Sequence, residues 1–234
     1  MADESTLKSN VFTDEGRLVQ TEFAIKNIAK AGTIMGMQCT DGVVLIGLNS
    51  GNTVQNEKIY KLNDNTFCAI AGLFGDANRL IKYARKVSCE QKRRYNETLK
   101  TSVVCKFVAW KKQYYTQNVG TRPFGVSILY AGSDETGYKL YATDPSGTIN
   151  LWRAVSIGQD SDGINSNLNN FISDELVSMD EAITLLLKVY SKVKEPTIEL
   201  ADKLEILKFS NEKKEYLTKD MVVQILQDNE LVTV

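Results

Sequence analysis

The sequence has 234 residues, 43% apolar and 24% charged, enough for one packed domain and too apolar for a disordered chain. Its formal net charge is −1, so no electrostatic excess points to nucleic acid or to a membrane surface. It contains no histidine, which removes the usual general base and the commonest metal ligand and excludes a Ser/His or Cys/His hydrolase.

Cys39, Cys68, Cys89 and Cys105 lie far apart with no CxxC pair. Buried free thiols in a reducing compartment are expected, with no metal site and no cofactor. No run approaches the roughly 20 apolar residues that span a bilayer. The start, Met1 to Asn10, lacks the basic and apolar regions of a secretory signal. Prolines occur only at Pro123, Pro145 and Pro196, and no linker or repeat divides the chain. One continuous domain over 1–234 is expected, with a flexible tail over 1–12.

In chain order, a helix is predicted from Glu15 toward Ala31. Leu18, Ile25 and Ala29 form one apolar stripe, and Val19 and Phe23 form a second. Two stripes imply contact on two sides. Strands are predicted at Thr33–Cys39, Val43–Leu48, Lys58–Leu62 and Thr66–Ala71, bounded by turn signals such as Asp41-Gly42, Ser50-Gly51 and Asn63-Asp64. Ala77, Leu80, Ile81 and Ala84 then give a helix face with Asp76 as N-cap, and Leu99, Val103, Phe107, Trp110 and Tyr114 a second helix. Strands follow at Phe124–Ala131, Tyr138–Thr143 and Leu151–Ile157. Ile164, Leu168, Phe171 and Ile172 mark another helix. Met179, Ile183, Leu186, Leu187 and Tyr190 mark a longer one, opened by a capping box of Ser178 and Glu181. A strand at Leu204–Phe209 and a helix near Lys219–Glu230 end the series. Blocks of strands separated by helix pairs predict an α+β fold. Two antiparallel sheets pack face to face, with helices on both outer faces.

The residues also carry a resemblance. Val11-Phe12-Thr13-Asp14-Glu15-Gly16-Arg17-Leu18-Val19-Gln20-Thr21-Glu22-Phe23-Ala24 is followed by Ala31-Gly32-Thr33, Asp41-Gly42-Val43-Val44-Leu45 and Asn56-Glu57-Lys58-Ile59-Tyr60-Lys61-Leu62. Ala71-Gly72, Gly75-Asp76-Ala77, Tyr115-Thr116-Gln117, Arg122-Pro123-Phe124-Gly125-Val126-Ser127, Asp144-Pro145-Ser146-Gly147 and Ile157-Gly158 come in the same order. This series resembles the alpha subunits of the proteasome core particle, closest to their type-4 subgroup at the third alpha position. The resemblance implies a four-layer α/β/β/α sandwich, the N-terminal-nucleophile hydrolase fold, with an extra N-terminal helix.

It further implies a non-catalytic structural subunit serving ring assembly, pore gating and activator docking in ubiquitin-dependent degradation. The implied partners are other alpha subunits in a seven-membered ring, beta-ring subunits and the C-termini of a regulatory particle or other activators. Neither nucleic acid nor membrane is implied, and the compartments are cytoplasm and nucleus. The alternative is a threonine hydrolase on the same fold, whose nucleophile is an N-terminal threonine helped by an aspartate and a lysine. Aligned on the first two strands, the threonine falls at Gly32, the aspartate at Leu48 and the lysine near Lys58. Thr33 stands one residue late.

Four groups of residues follow from the resemblance. Lys58, with Gly32 leaving room beside it, is expected to meet the carboxylate of a docking activator; the plain alternative is a solvated lysine at a strand start. Leu18, Val19, Phe23 and Ile25 are expected to form the ring-assembly helix. Ser5, Thr6, Lys8, Asp14 and Phe23 depart from the family's gate cluster, so a standard gate contribution from this tail is not expected. Lys82, Arg85, Lys86, Lys92, Arg93 and Arg94 form a basic stretch with no interleaved aromatics, read as a solvated face. Trp110, Tyr114, Tyr115 and Trp152 are expected in the core or at a subunit interface.

Overall fold

The computed structural model describes residues 10–49, 57–171, 175–194, 200–229 and 231. Ser5, Thr6, Lys8, Asn56, Ile172 and the Ser50-Gly51 turn lie outside them. The elements are α1 (Val19–Ile28), β1 (Ile34–Gln38), β2 (Val43–Leu48), β3 (Ile59–Asn63), β4 (Thr66–Gly72), α2 (Phe74–Tyr95) and α3 (Thr101–Gln117). Then come β5 (Val126–Asp134), β6 (Gly137–Thr143), β7 (Ile149–Trp152), β8 (Ala154–Ile157), α4 (Ser161–Phe171) and α5 (Met179–Val193). The series ends with α6 (Leu200–Lys203), β9 (Leu204–Phe209), β10 (Lys214–Tyr216) and α7 (Lys219–Asp228).

Two antiparallel five-stranded sheets form, in the orders β10-β9-β2-β1-β8 and β3-β4-β5-β6-β7. β2 explains the layering. Successive strand side chains point to opposite faces. Val43 and Leu45 enter the core between the sheets, while Val44, Ile46 and Leu48 pack against α4, α5 and α7. β4 does the same on the other side: Phe67, Ala69 and Ala71 face the sheet partner, and Cys68 and Ile70 face α2 and α3. Each large side chain among these, such as Val43, Leu45 or Phe67, contributes about 1.5–3 kcal/mol when taken out of water.

Several expectations need correction. α1 starts at Val19 rather than Glu15, because Gly16 sits at φ +75° and Thr13 closes a turn with Arg17. Its inward line is Thr21 and Ile28; Ile25 and Ala29 face out, so the first stripe holds only in part-buried Leu18. Asp76 is no N-cap: Leu73 holds that position, and the buried Asp76 carboxylate instead accepts from Arg122 at 2.6 and 2.8 Å and from the Gly125 N–H at 2.9 Å. The segment Leu151–Ile157 is two strands in different sheets, parting at Arg153. α6 and β10 were not anticipated.

The largest correction concerns α3. Its inward face is Val104, Cys105, Val108, Ala109 and Lys112, while Trp110 is 63% exposed and Tyr114 54%. Of the expected helix face, Phe107 is half-buried against the core while Trp110 and Tyr114 turn outward, and Lys112 takes an inward position. Trp152 is exposed too, so the core reading fails for Trp110, Tyr114 and Trp152. The basic stretch on α2 is exposed at all six positions, as a solvated face should be, and the ring contacts beside it are made by two other cations. Lys111 of α3 lies over the Tyr83 ring at 5.4 Å and the Tyr115 ring at 5.3 Å, and Arg79 lies 5.9 Å from the latter.

Candidate functional site

The fold gathers Gly32, Leu48 and Lys58 from three segments. β1 and β2 pair with Ile34 opposite Gly47, and the Leu48 N–H donates to the Thr33 carbonyl at 2.8 Å. That register lays the end of β2 against Gly32, whose missing side chain would collide with the Leu48 carbonyl. Lys58 stands immediately before β3 of the other sheet. It is fastened across by Glu205 on β9, whose carboxylate accepts the N–H groups of Lys58 at 2.6 Å and Ile59 at 3.2 Å.

Two glycines make the slot that holds the lysine. A Cβ on Gly47 would stand 2.5 Å from the Lys58 Cβ, so only glycine admits the stem there. A Cβ on Gly32 would stand 3.0 Å from Nζ and 3.3 Å from Cε, so the ammonium lies directly on the Gly32 backbone. Burial holds Lys58 below the ordinary lysine value, opposed by attraction to Glu205. Burial likewise pushes Glu205 up, opposed by the two backbone N–H groups and by Lys58. None of the described residues accepts a hydrogen bond from the Lys58 ammonium.

Gly32 opens onto a cavity of about 230 Å³. Its walls come from Thr33, Leu48 and Asn49 on one side and from Gln159, Asp160, Tyr190, Lys194 and Lys203 on the other. The loop after β8 closes against Gly32: the Gln159 N–H donates to the Ala31 carbonyl at 2.8 Å, and a Cβ on Gly158 would stand 2.9 Å from the Ala31 carbonyl oxygen and 3.0 Å from that of Gly32.

The arrangement of a threonine hydrolase is present in position and absent in chemistry. Gly32 has no nucleophilic atom. Leu48 contributes a carbonyl where a carboxylate would orient the lysine. Thr33 is buried, and its hydroxyl donates to the Gln159 carbonyl at 2.8 Å. Its amine is an ordinary peptide nitrogen within a continuous chain, so it cannot serve as the base.

The remaining expected residues lie elsewhere. On α1, Leu18 and Val19 are half-buried, while Phe23 is 51% exposed and Ile25 42%. Arg17 pairs with Glu22 and fixes the approach to this helix. Sequence reasoning missed Asn10, which joins the end of the tail to α3. Its side-chain N–H groups reach the carbonyls of Tyr115 at 3.1 Å, Asn118 at 2.5 Å and Thr121 at 2.9 Å. It also missed Gly47 and Glu205, whose roles depend on sheet register and have no local signal.

The proteasome subunit family matches residues 28–206. This chain belongs to that family. It is 46% identical over 227 residues to the probable proteasome subunit alpha type-3 of Encephalitozoon cuniculi, covering 97% of this chain and 98% of the relative. It is 38% identical over 205 residues to the proteasome subunit alpha type-3 of Saccharomyces cerevisiae, covering 85% and 79%. It is 38% identical over 206 residues to the proteasome subunit alpha type-4 of Spinacia oleracea, covering 85% and 82%. These proteasome relatives are of the alpha type, the non-catalytic structural class, and so is this chain. The hydrolase alternative finds no support among them, in keeping with the empty nucleophile position at Gly32.

Proposed function

We propose that this chain takes its place in a seven-membered alpha ring and there receives the C-terminal carboxylate of a regulatory particle or other activator at Lys58 and Gly32. The carrying observation is the Lys58 ammonium, drawn out of water beside Gly32 with no hydrogen-bond acceptor among the described residues. An ammonium so placed is stabilised by an incoming carboxylate, which supplies the missing acceptor and the opposite charge at once. Leu18, Val19, Phe23 and Ile25 serve assembly with neighbouring alpha subunits. Exposed Phe23 and Ile25 favour that role, since contiguous apolar surface on a soluble protein marks an interface. The ring rests on beta subunits, and the particle works in cytoplasm and nucleus. Among the described residues no helix is long and apolar enough to cross a membrane.

The test uses assembled particles carrying Lys58→Ala and an activator-tail peptide with a photoreactive residue. Labelling of this chain, read by intact mass, reports its own pocket among the seven. Removing one charge-assisted pair costs about 1.5–3 kcal/mol, so roughly tenfold or more peptide is needed for half-labelling. Unchanged labelling removes Lys58 from the docking site.

A further inference from the structure

We infer that the cavity beside Gly32 selects docking tails that carry a second carboxylate close to the terminal one, and that Lys194 and Lys203 read it. This rests on the docking proposed for Lys58. Three observations carry it. The lining that includes Gly32 also holds two ammonium-bearing side chains, the exposed Lys194 just after α5 and the half-buried Lys203 at the end of α6. Neither side chain forms an ion pair or hydrogen bond with a described residue, unlike Lys61, Lys92, Lys100, Lys208 and Lys219, each of which meets a carboxylate. Lys203 is placed from its own backbone, whose carbonyl accepts the Asn49 N–H at 2.9 Å and ties α6 to the cavity rim.

The charges can be weighed. Lys194 and Lys203 contribute two positive charges to the lining and Asp160 one negative charge. Behind Gly32, Lys58 adds a third cation, with Glu205 holding its backbone N–H. A terminal carboxylate satisfies Lys58 and leaves the far wall with two cations against one carboxylate. A neutral tail therefore fills the cavity without compensating that wall, and an acidic side chain within the last few residues does compensate it. The volume of about 230 Å³ admits one or two side chains, which sets the second carboxylate near the chain end. Tyr190 and Asn49, also in the lining, offer a hydroxyl and an amide as secondary donors.

The experiment uses assembled particles and two photoreactive peptides that differ only by Glu or Gln next to the terminal residue. Labelling of this chain is measured at low salt for the unaltered subunit, for Lys194→Gln with Lys203→Gln, and for Lys58→Ala. The expected result is about a three- to fivefold preference for the Glu peptide, the scale of partly exposed charge pairs. That preference disappears in the double variant while Gln-peptide labelling is unchanged. The same preference in the double variant overturns the inference, as does no preference in the unaltered particle. Failure of the docking reading looks different: Lys58→Ala then leaves both peptides labelling this chain as before, whatever their ratio.

Discussion

Lys112 and Lys58 are both held below the ordinary lysine value by burial, yet their surroundings differ completely. Lys112, in the core between α3 and the second sheet, donates to the carbonyls of Val126 at 2.9 Å and Thr143 at 3.1 Å and to the Thr143 hydroxyl at 2.9 Å. Every proton of an ammonium is used, and β5 and β6 are tied to the helix above them. Lys58 sits in a slot made by Gly32 and Gly47, with its backbone fastened by Glu205 and its head unsatisfied by any described residue. A buried polar group with all its bonds made holds the fold together; one drawn partly out of water without them keeps capacity for a further acceptor. The docking proposed for Lys58 rests on this difference, although the two residue types are identical.

The comparison breaks first if Lys112 proves dispensable. Lys112→Met leaves two strand carbonyls and a hydroxyl without their donor. A loss of about 1–3 kcal/mol is expected in chemical denaturation. Lys58→Met removes a partly desolvated charge that makes no bond to a described residue, so a change within about ±0.5 kcal/mol is expected. Equal losses would erase the distinction.

A pH titration sharpens the same contrast. Burial lowers Lys112 from 10.5 to about 7, with Asp144 opposing the shift. Below about 7 both the folded and the unfolded chain hold that proton, and this residue adds no slope. Between about 7 and 10.5 the unfolded chain binds more protons than the folded one, so stability rises with pH across that window. Unfolding free energies at several pH values should show this rise in the unaltered chain and not in Lys112→Met. Docking should run the other way. Lys58 must be charged to hold a carboxylate, so peptide affinity falls as pH climbs through its lowered value. A smaller effect is expected from Phe23→Ser on α1, which leaves the sandwich intact by circular dichroism and reduces incorporation into rings in a reconstitution assay. Normal incorporation would show that the exposed ring is not part of the assembly contact.

How much of this could be read in advance follows the same line between local and distant information. The apolar run Val43–Leu48 and the capping box at Ser178 and Glu181 are local, and the structure keeps both. The face of α3 was misread because Lys112 and Thr116 lie inside while Trp110 and Tyr114 lie outside. A helix whose interior side is partly polar defeats an apolar count. The triplet Gly32, Leu48 and Lys58 was reached through resemblance and is a true neighbourhood in space. The groups that build its slot were not legible. Gly47 and Glu205 stand opposite each other only because β2 pairs with β9, 158 positions later in the chain (205 − 47 = 158).

The most direct measurement is a double-mutant cycle on assembled particles. It pairs lysine or methionine at position 58 with a tail peptide ending in a free carboxylate or in an amide. Labelling of this chain gives the four affinities. If the ammonium meets the terminal carboxylate, the two changes are strongly non-additive. The amide costs about tenfold with Lys58 and almost nothing with methionine, a coupling of about 1.4 kcal/mol or more. Additivity within about 0.5 kcal/mol would mean that Lys58 and the carboxylate do not meet.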